Sequence, residues 1–325
     1  MVVRSLGAAG PTVTPIGLGL AALGRPAYID LGRDADLIER DVASMELRCH
    51  EVLDAAYAGG VRYVDVARSY GMAERFLADW FADRPEAVGE MTVGSKWGYT
   101  YVADWRIDAD VHEVKDHSVE ALRRQAPASL ALLENHLSLY QIHSATLESG
   151  VLEDAAVLDE LRRLRDERGV VIGMSVSGPR QADVVRRALE LGEAAPFRCV
   201  QATWNVLEPS AGPALAEAHD AGWGVIVKEA LANGRLTARG DPPAVRILRD
   251  VGGRHGATED AGAIAAALAQ PWADVVLSGA VTTAQLRSNL RAADVRLGEE
   301  DIDRFAAIVV PADAYWAARS ALAWH

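Results

Sequence analysis

Four side chains in the first half of the chain, Asp65, Tyr70, Lys96 and His143, supply a carboxylate, a phenol, an ammonium and an imidazole. Each ends or closely follows a short apolar run, in YVD, VARSY, VGSK and LYQIH. Together they have the makings of a proton-transfer site. A free tyrosine has a pKa of about 10 and is a poor acid near neutrality. An ammonium about 4 Å from its oxygen favours the phenolate by about 4 kcal/mol at an effective dielectric of 20, but by only about 1 kcal/mol in bulk water. The first figure is worth about three pKa units and the second less than about one. Lys96 therefore makes Tyr70 a useful acid only where water is largely excluded. Asp65 would keep Lys96 charged and aimed, because a lone buried ammonium tends to lose its proton. His143 would hold a substrate oxygen by a hydrogen bond. Singly, each has an ordinary explanation: an Asp at a strand end caps a turn or helix, and Tyr, Lys and His pack or face solvent. Four matched groups on consecutive runs resist that explanation.

The elements that must position them alternate along the whole chain. Short apolar runs at Ile16–Gly19, Arg62–Asp65, Thr92–Ser95, Leu139–Ile142, Val170–Val176, Cys199–Ala202, Gly224–Val227 and Val275–Ser278 read as strands buried on both faces. Amphipathic stretches separate them, near 42–59, 73–82, 118–136, 153–168, 181–191, 213–221, 259–269 and 283–293. Eight such units fit an α/β fold of the (β/α)8 TIM-barrel type with an N-terminal β-hairpin over residues 1–16. An open doubly wound sheet is the competitor; the count of eight and the lack of a composition break favour one barrel domain over 1–325, with a helix and tail at 294–325. Chemistry gathers at the strand C-terminal ends of a barrel, here Gly19, Asp65, Ser95/Lys96, His143, Ser175, Gln201, Lys228 and Ser278. The connections 24–41, 97–116 and 231–258 are long for βα loops and read as irregular loops around that face.

The 325 residues carry 33 Lys+Arg against 46 Asp+Glu, a net charge of −13, and half are hydrophobic. Such a chain folds, and its acidity argues against nucleic-acid binding. Cys49 and Cys199 form no disulfide framework or zinc motif, and no metal is expected. The most apolar stretch, from Ala261, is broken by Gln270, Pro271 and Asp274 and falls short of a membrane span. A cytoplasmic location with no membrane partner is expected; the oligomeric state is not legible.

The chain resembles the aldo-keto reductases from Val2 to about Ala293. The matching stretches include GVRYVDVARSYGMAERFL, VGSKWG, LSLYQIH, GMSVSG, VQATWN, NGRL and SGAVTTAQLRSNL, with the string Asp-x4-Tyr-Gly-x-x-Glu ending at Glu74. The resemblance implies an NADP-dependent aldo-keto reductase that reduces an aldehyde or ketone, with Asp65, Tyr70, Lys96 and His143 as its tetrad and Tyr70 as the acid. It implies a cofactor extended across the barrel top: Gly19 nearby, Ser175 and Gln201 on the carboxamide, Lys228 at the nicotinamide, Glu229, Leu231, Asn233 and Arg235 toward the pyrophosphate, and Gly279, Val281, Gln285 and Asn289 toward the adenosine phosphate.

Three departures bear on that implication. The Ser-Asn pair of the family is Ser175-Val176, Lys228 replaces the tyrosine that stacks on the nicotinamide, and no Lys or Arg stands in Gly279–Thr282 to grip a 2′-phosphate. NADPH is expected, with NADH as the alternative and Arg287 or Arg291 as substitute cations. Tyr28, Trp97, Trp105 and Trp316 are expected to line an apolar substrate pocket, and Ser144 to leave its floor roomy. A cofactor-binding regulatory subunit, or a dehydratase or isomerase reusing the same acid/base set, are the other functions considered.

Overall fold

The computed structural model describes residues 1–133 and 136–325. Its strands are β1 (Arg4–Ser5), β2 (Thr12–Val13), β3 (Ile16–Gly19), β4 (Tyr63–Asp65), β5 (Thr92–Trp97), β6 (Tyr99–Tyr101), β7 (Glu113–Lys115), β8 (Leu137–Ala145), β9 (Val171–Val176), β10 (Phe197–Thr203), β11 (Gly224–Lys228) and β12 (Val275–Ser278). Among the described residues, β3, β4, β5, β8, β9, β10, β11 and β12 close into a parallel barrel in that order. The expected barrel is therefore the fold, and all eight expected runs are its strands. Helices follow the strands close to the expected spans, for example Val42–Ala58 after β3 and Gln181–Glu190 after β9. Residues 134 and 135, inside the expected helix 118–136, lie outside the described residues; that helix is seen over Val119–Leu133.

Side-chain direction alternates along each strand. On β5, Gly94 and Lys96 face the barrel axis, while Ser95 points outside it and donates to Glu74, which also accepts from Ser129. Tyr63 fills the axis: a Cβ on Gly94 would sit 2.3 Å from its hydroxyl, and one on Gly17 2.8 Å from its ring. Only glycine lets the ring lie there, and the ring carries the hydroxyl up to Asp65.

The hairpin β1–β2 closes the lower end. Leu6 packs with Val13, Tyr63, Leu139, Cys199 and Ile226. The Asp274 carboxylate accepts hydrogen bonds from the amides of Gly7 (3.2 Å) and Val225 (2.9 Å), pinning hairpin to barrel.

Two of the three long connections are not irregular. Residues 231–258 contain a helix, Pro242–Arg254, begun by Pro and burying Ala244, Val245, Leu248 and Val251 on one stripe. Residues 97–116 contain the antiparallel pair β6–β7, which enters through Gly98 at φ +107°. Residues 24–41 carry only the short helix Arg33–Asp36. After the barrel come the helices Glu299–Ala306 and Ala312–Ser320, and the tail returns over the mouth: the Tyr28 amide donates to His325 O (3.0 Å) and the His325 amide to Tyr28 O (3.2 Å). No helix among the described residues is long and apolar enough to cross a membrane.

Candidate active site

The register of adjacent strands sets the first contacts. Asp65 ends β4 beside Gly19 of β3 and Gly94 of β5, so the Lys96 side chain, one pleat further along β5, reaches up to it. Lys96 is fully buried, and its ammonium donates to Asp65 Oδ1, to Val66 O (3.1 Å) and to the Tyr70 hydroxyl (3.3 Å). Asp65 Oδ2 accepts from Gln201 Nε2 (2.8 Å) and from the Tyr63 hydroxyl (3.1 Å). A carboxylate with donors on both oxygens is a fixed anion, and it fixes the lysine.

Tyr70 comes from the turn after β4 and is 9% exposed. Its ring meets His143 edge-on at 5.5 Å between centroids. Glu74 anchors the turn from below: its carboxylate, itself buried, accepts from Ser95 Oγ (2.6 Å), Ser129 Oγ (2.7 Å) and Arg68. This explains the glutamate that ends the motif, a role its spacing did not disclose.

Burial, followed by the Asp65 charge, pushes the Tyr70 phenol well above its ordinary pKa. The Lys96 ammonium lies between that phenol and the Asp65 carboxylate. Burial also lowers Lys96, with Asp65 opposing. Burial, then Lys96, Arg25 and Lys228, hold His143 well below the usual imidazole range, so its ring is neutral. Its Nδ1 lies 3.3 Å from Ser69 Oγ, and its carbonyl is 2.8 Å from His117 Nε2.

One residue escaped the sequence reading. Arg25, almost fully buried, stacks on the rings of Tyr28 (5.2 Å), Tyr70 (5.3 Å) and Trp324 (4.8 Å). It is held by Ser69 O (3.0 Å) and Glu113 Oε2 (2.7 Å). An arginine among aromatic faces is a cation–π arrangement; no local pattern pairs residue 25 with residue 70.

These groups open on a cleft of about 920 Å³ that continues across the barrel top. Gly19, Gln201, Lys228, Glu229, Leu231, Asn233, Gly279, Val281, Gln285 and Asn289 line it, as do Tyr28 and Trp316. Ser175, Arg235, Trp97 and Trp105 do not line it. Ser175 is buried with its hydroxyl accepting from the Ser144 amide (2.9 Å). Arg235 turns to the Tyr315 ring (5.5 Å) and Asp241 (3.9 Å). Trp97 fails by parity, since Lys96 inward sends its neighbour outward, against His117. Trp105 packs on Phe76 and donates to Arg40 O (2.7 Å). Arg287 is exposed and Arg291 pairs with Asp294 (3.8 Å); neither lines the cleft.

Lys228 sits where β11 ends, donating to Thr203 Oγ1 (2.8 Å) and Ser177 Oγ (3.0 Å). It lies only loosely against Glu229, at 3.9 Å, because Arg319 holds that carboxylate through Nε at 3.0 and 2.9 Å and through Nη2. Burial takes the Lys228 ammonium down to about 8. Burial alone would raise Glu229, but Lys228 and Arg319 outweigh it and bring the carboxylate to about 2. No group of three or more potential metal ligands occurs among the described residues.

The arrangement thus offers a buried phenol beside a fixed cation, a neutral imidazole and a long cleft. The family model described as the aldo/keto reductase family matches residues 15–310. The uncharacterized oxidoreductase YqkF of Bacillus subtilis (strain 168) is 25% identical over 296 residues, 83% of this chain and 92% of that protein. Pyridoxal 4-dehydrogenase of Microbacterium luteolum is 26% identical over 220 residues, and this match spans only 58% of each chain. Aldo-keto reductase AKR11C1 of Bacillus halodurans, in its holo form, shares the fold with a TM-score of 0.72 at 18% identity, covering 96% of this chain and 97% of that one. A putative aldo-keto reductase of Pseudomonas aeruginosa does so with a TM-score of 0.66 at 23% identity, covering 90% and 94%. The chain belongs to the aldo/keto reductase family and is, by that membership, an oxidoreductase.

Proposed function

We propose that this protein reduces the carbonyl group of an aldehyde or ketone at the expense of a nicotinamide dinucleotide. The observation that carries the reading is the buried contact of Lys96 with both Asp65 and Tyr70, beside His143, at the wall of the cleft.

The cleft suits an extended dinucleotide. It runs from Tyr70 past Lys228 and Asn233 to Gly279, where even a built Cβ would meet no atom within 4 Å. Asn233 is among its lining residues, and the buried Oδ1 of that side chain has no partner among the described residues. Gln201, Lys228, Asn233, Gly279 and Gln285 would hold such a cofactor. When bound, it supplies the hydride.

The protein's own residues do the rest. Tyr70, kept protonated by its burial, donates its proton to the carbonyl oxygen as negative charge develops there. The phenolate left behind is matched by Lys96 at 3.3 Å, and Asp65 prevents that ammonium from losing its proton first. Neutral His143 donates a hydrogen bond that orients the oxygen. Little water reaches the phenol, so these interactions act in a low dielectric.

Tyr70→Phe tests the reading. It should bind nucleotide as the parent does, by quenching of tryptophan fluorescence, and lose about 100-fold or more in turnover of an aldehyde. Unchanged turnover would remove Tyr70 from the chemistry. Nucleotide binding with no turnover of any carbonyl by the parent would favour a regulatory role.

A further inference from the structure

A dinucleotide whose reactive ring lies at Tyr70 and His143 must place its other end at the far wall of the same cleft, between Asp36 and Asn289. Every charged side chain lining that wall among the described residues is accounted for: Asp30, Asp36, Glu259 and Asp260 against Arg33 and Arg239. Neither guanidinium is free. Arg33 is buried and donates to the carbonyls of Pro26 (2.7 Å), Arg25 (2.6 Å), His325 (3.1 Å) and Ala22. Arg239 binds Asp36 through both of its terminal nitrogens, at 2.6 and 2.7 Å, and Gly32 O at 2.8 Å.

Several of the polar groups that would welcome a phosphate are occupied as well. The helix Thr283–Leu290 starts at this wall, and such starts attract anions through unpaired amides. Here Gln285 Oε1 accepts from the amides of Val281 (2.9 Å) and Thr282 (3.3 Å), and Thr282 Oγ1 accepts from that of Gln285 (3.2 Å). Gln285 Nε2 in turn donates to Asp36 (2.7 Å), and Asn289, in the orientation that satisfies both ends of its amide, donates to Asp260 (2.7 Å). The wall presents carboxylates, and Arg239, Gln285 and Asn289 turn their donors to them.

We infer that Asp36 and Asp260, with the capped turn 281–285, make this protein selective for NADH over NADPH. The inference rests on the nicotinamide reading above and sharpens it. Carboxylates accept from ribose hydroxyls and repel a 2′-phosphate, the division seen wherever acidic residues read the ribose of NAD and arginines read that of NADP. The expected NADPH is thereby displaced in favour of its alternative.

The test is binding, read by tryptophan quenching at low salt. The parent should bind NADH at least about ten times more tightly than NADPH, the size of one charge contact at a partly exposed site. Added salt should narrow the gap by screening the repulsion. Ala284→Arg, a surface change on the cleft side of the helix, should raise NADPH affinity by about tenfold and leave NADH nearly unchanged. Asp36→Asn, which also releases Arg239, should act in the same direction. NADPH bound as tightly as NADH by the parent overturns this inference alone. So does an NADH preference that neither variant moves. Binding of neither nucleotide overturns the nicotinamide reading and this inference with it.

Discussion

Lys96 Nζ lies 3.3 Å from the Tyr70 hydroxyl while its charge is met on the other side by Asp65. The cation is thus balanced at rest and is needed only after the phenol has given up its proton. Lys96→Met should abolish nearly all turnover and leave Asp65 as a buried unpaired anion. Breaking such a pair costs about 3–5 kcal/mol. Adding Asp65→Asn should recover part of that stability and none of the activity. Denaturant unfolding of the single and double variants, beside turnover, checks both halves.

Lys228 carries a charge that the folded state disfavours, its pKa being about 8 against 10.5 for a free lysine. The unfolded chain therefore binds more protons between those values, and stability attributable to this group rises with pH across that window. Below about pH 8 the full penalty applies. Lys228→Met should be more stable than the parent by about 1–3 kcal/mol at pH 7. The two should converge near pH 10. A variant less stable than the parent at pH 7 would show that the hydroxyls of Thr203 and Ser177 outweigh the desolvation.

Glu229 behaves in the opposite sense. Its pKa falls from 4.5 to about 2, so its stabilising contribution is complete above 4.5 and disappears as the pH drops toward 2. Arg319, 21% exposed, supplies much of it. Arg319→Leu should lose about 3 kcal/mol at neutral pH and less at pH 3, and should free the helix Ala312–Ser320 from the mouth. Urea unfolding at the two pH values measures the difference, and hydrogen exchange in 312–320 reports the release.

Glu74 touches none of the reacting groups, yet it joins the Tyr70 turn to β5 and to the helix Val119–Leu133. Glu74→Gln keeps the shape and weakens three charged hydrogen bonds, so a loss of about 1–3 kcal/mol is expected. Turnover should fall far less than in Tyr70→Phe. A Glu74→Gln variant with parental stability would mean that Arg68, Ser95 and Ser129 find other partners.

Much of this was legible in the chain, and the exceptions share a cause. The barrel could be read because each strand is a short apolar run closed by a polar residue, a signal local to a few positions. Asp65, Lys96 and His143 stand out because they sit at or just past those closures, and Tyr70 because it follows Asp65 in the same short turn. Trp97 was misplaced although alternation beside Lys96 would have turned it outward. The helix Pro242–Arg254 stands where a loop is expected, although Ala244, Leu248 and Val251 follow helical spacing. The pair β6–β7 was missed because YTY and EVK are too short and polar to announce strands. Arg25 on Tyr70, and His325 on Tyr28, join segments far apart in the chain, and no window of sequence contains both members.

The hairpin that Leu6 seats beneath Tyr63 turns the cylinder into a blind well. Whatever reaches Tyr70 therefore comes from the mouth, where the tail returns over Tyr28.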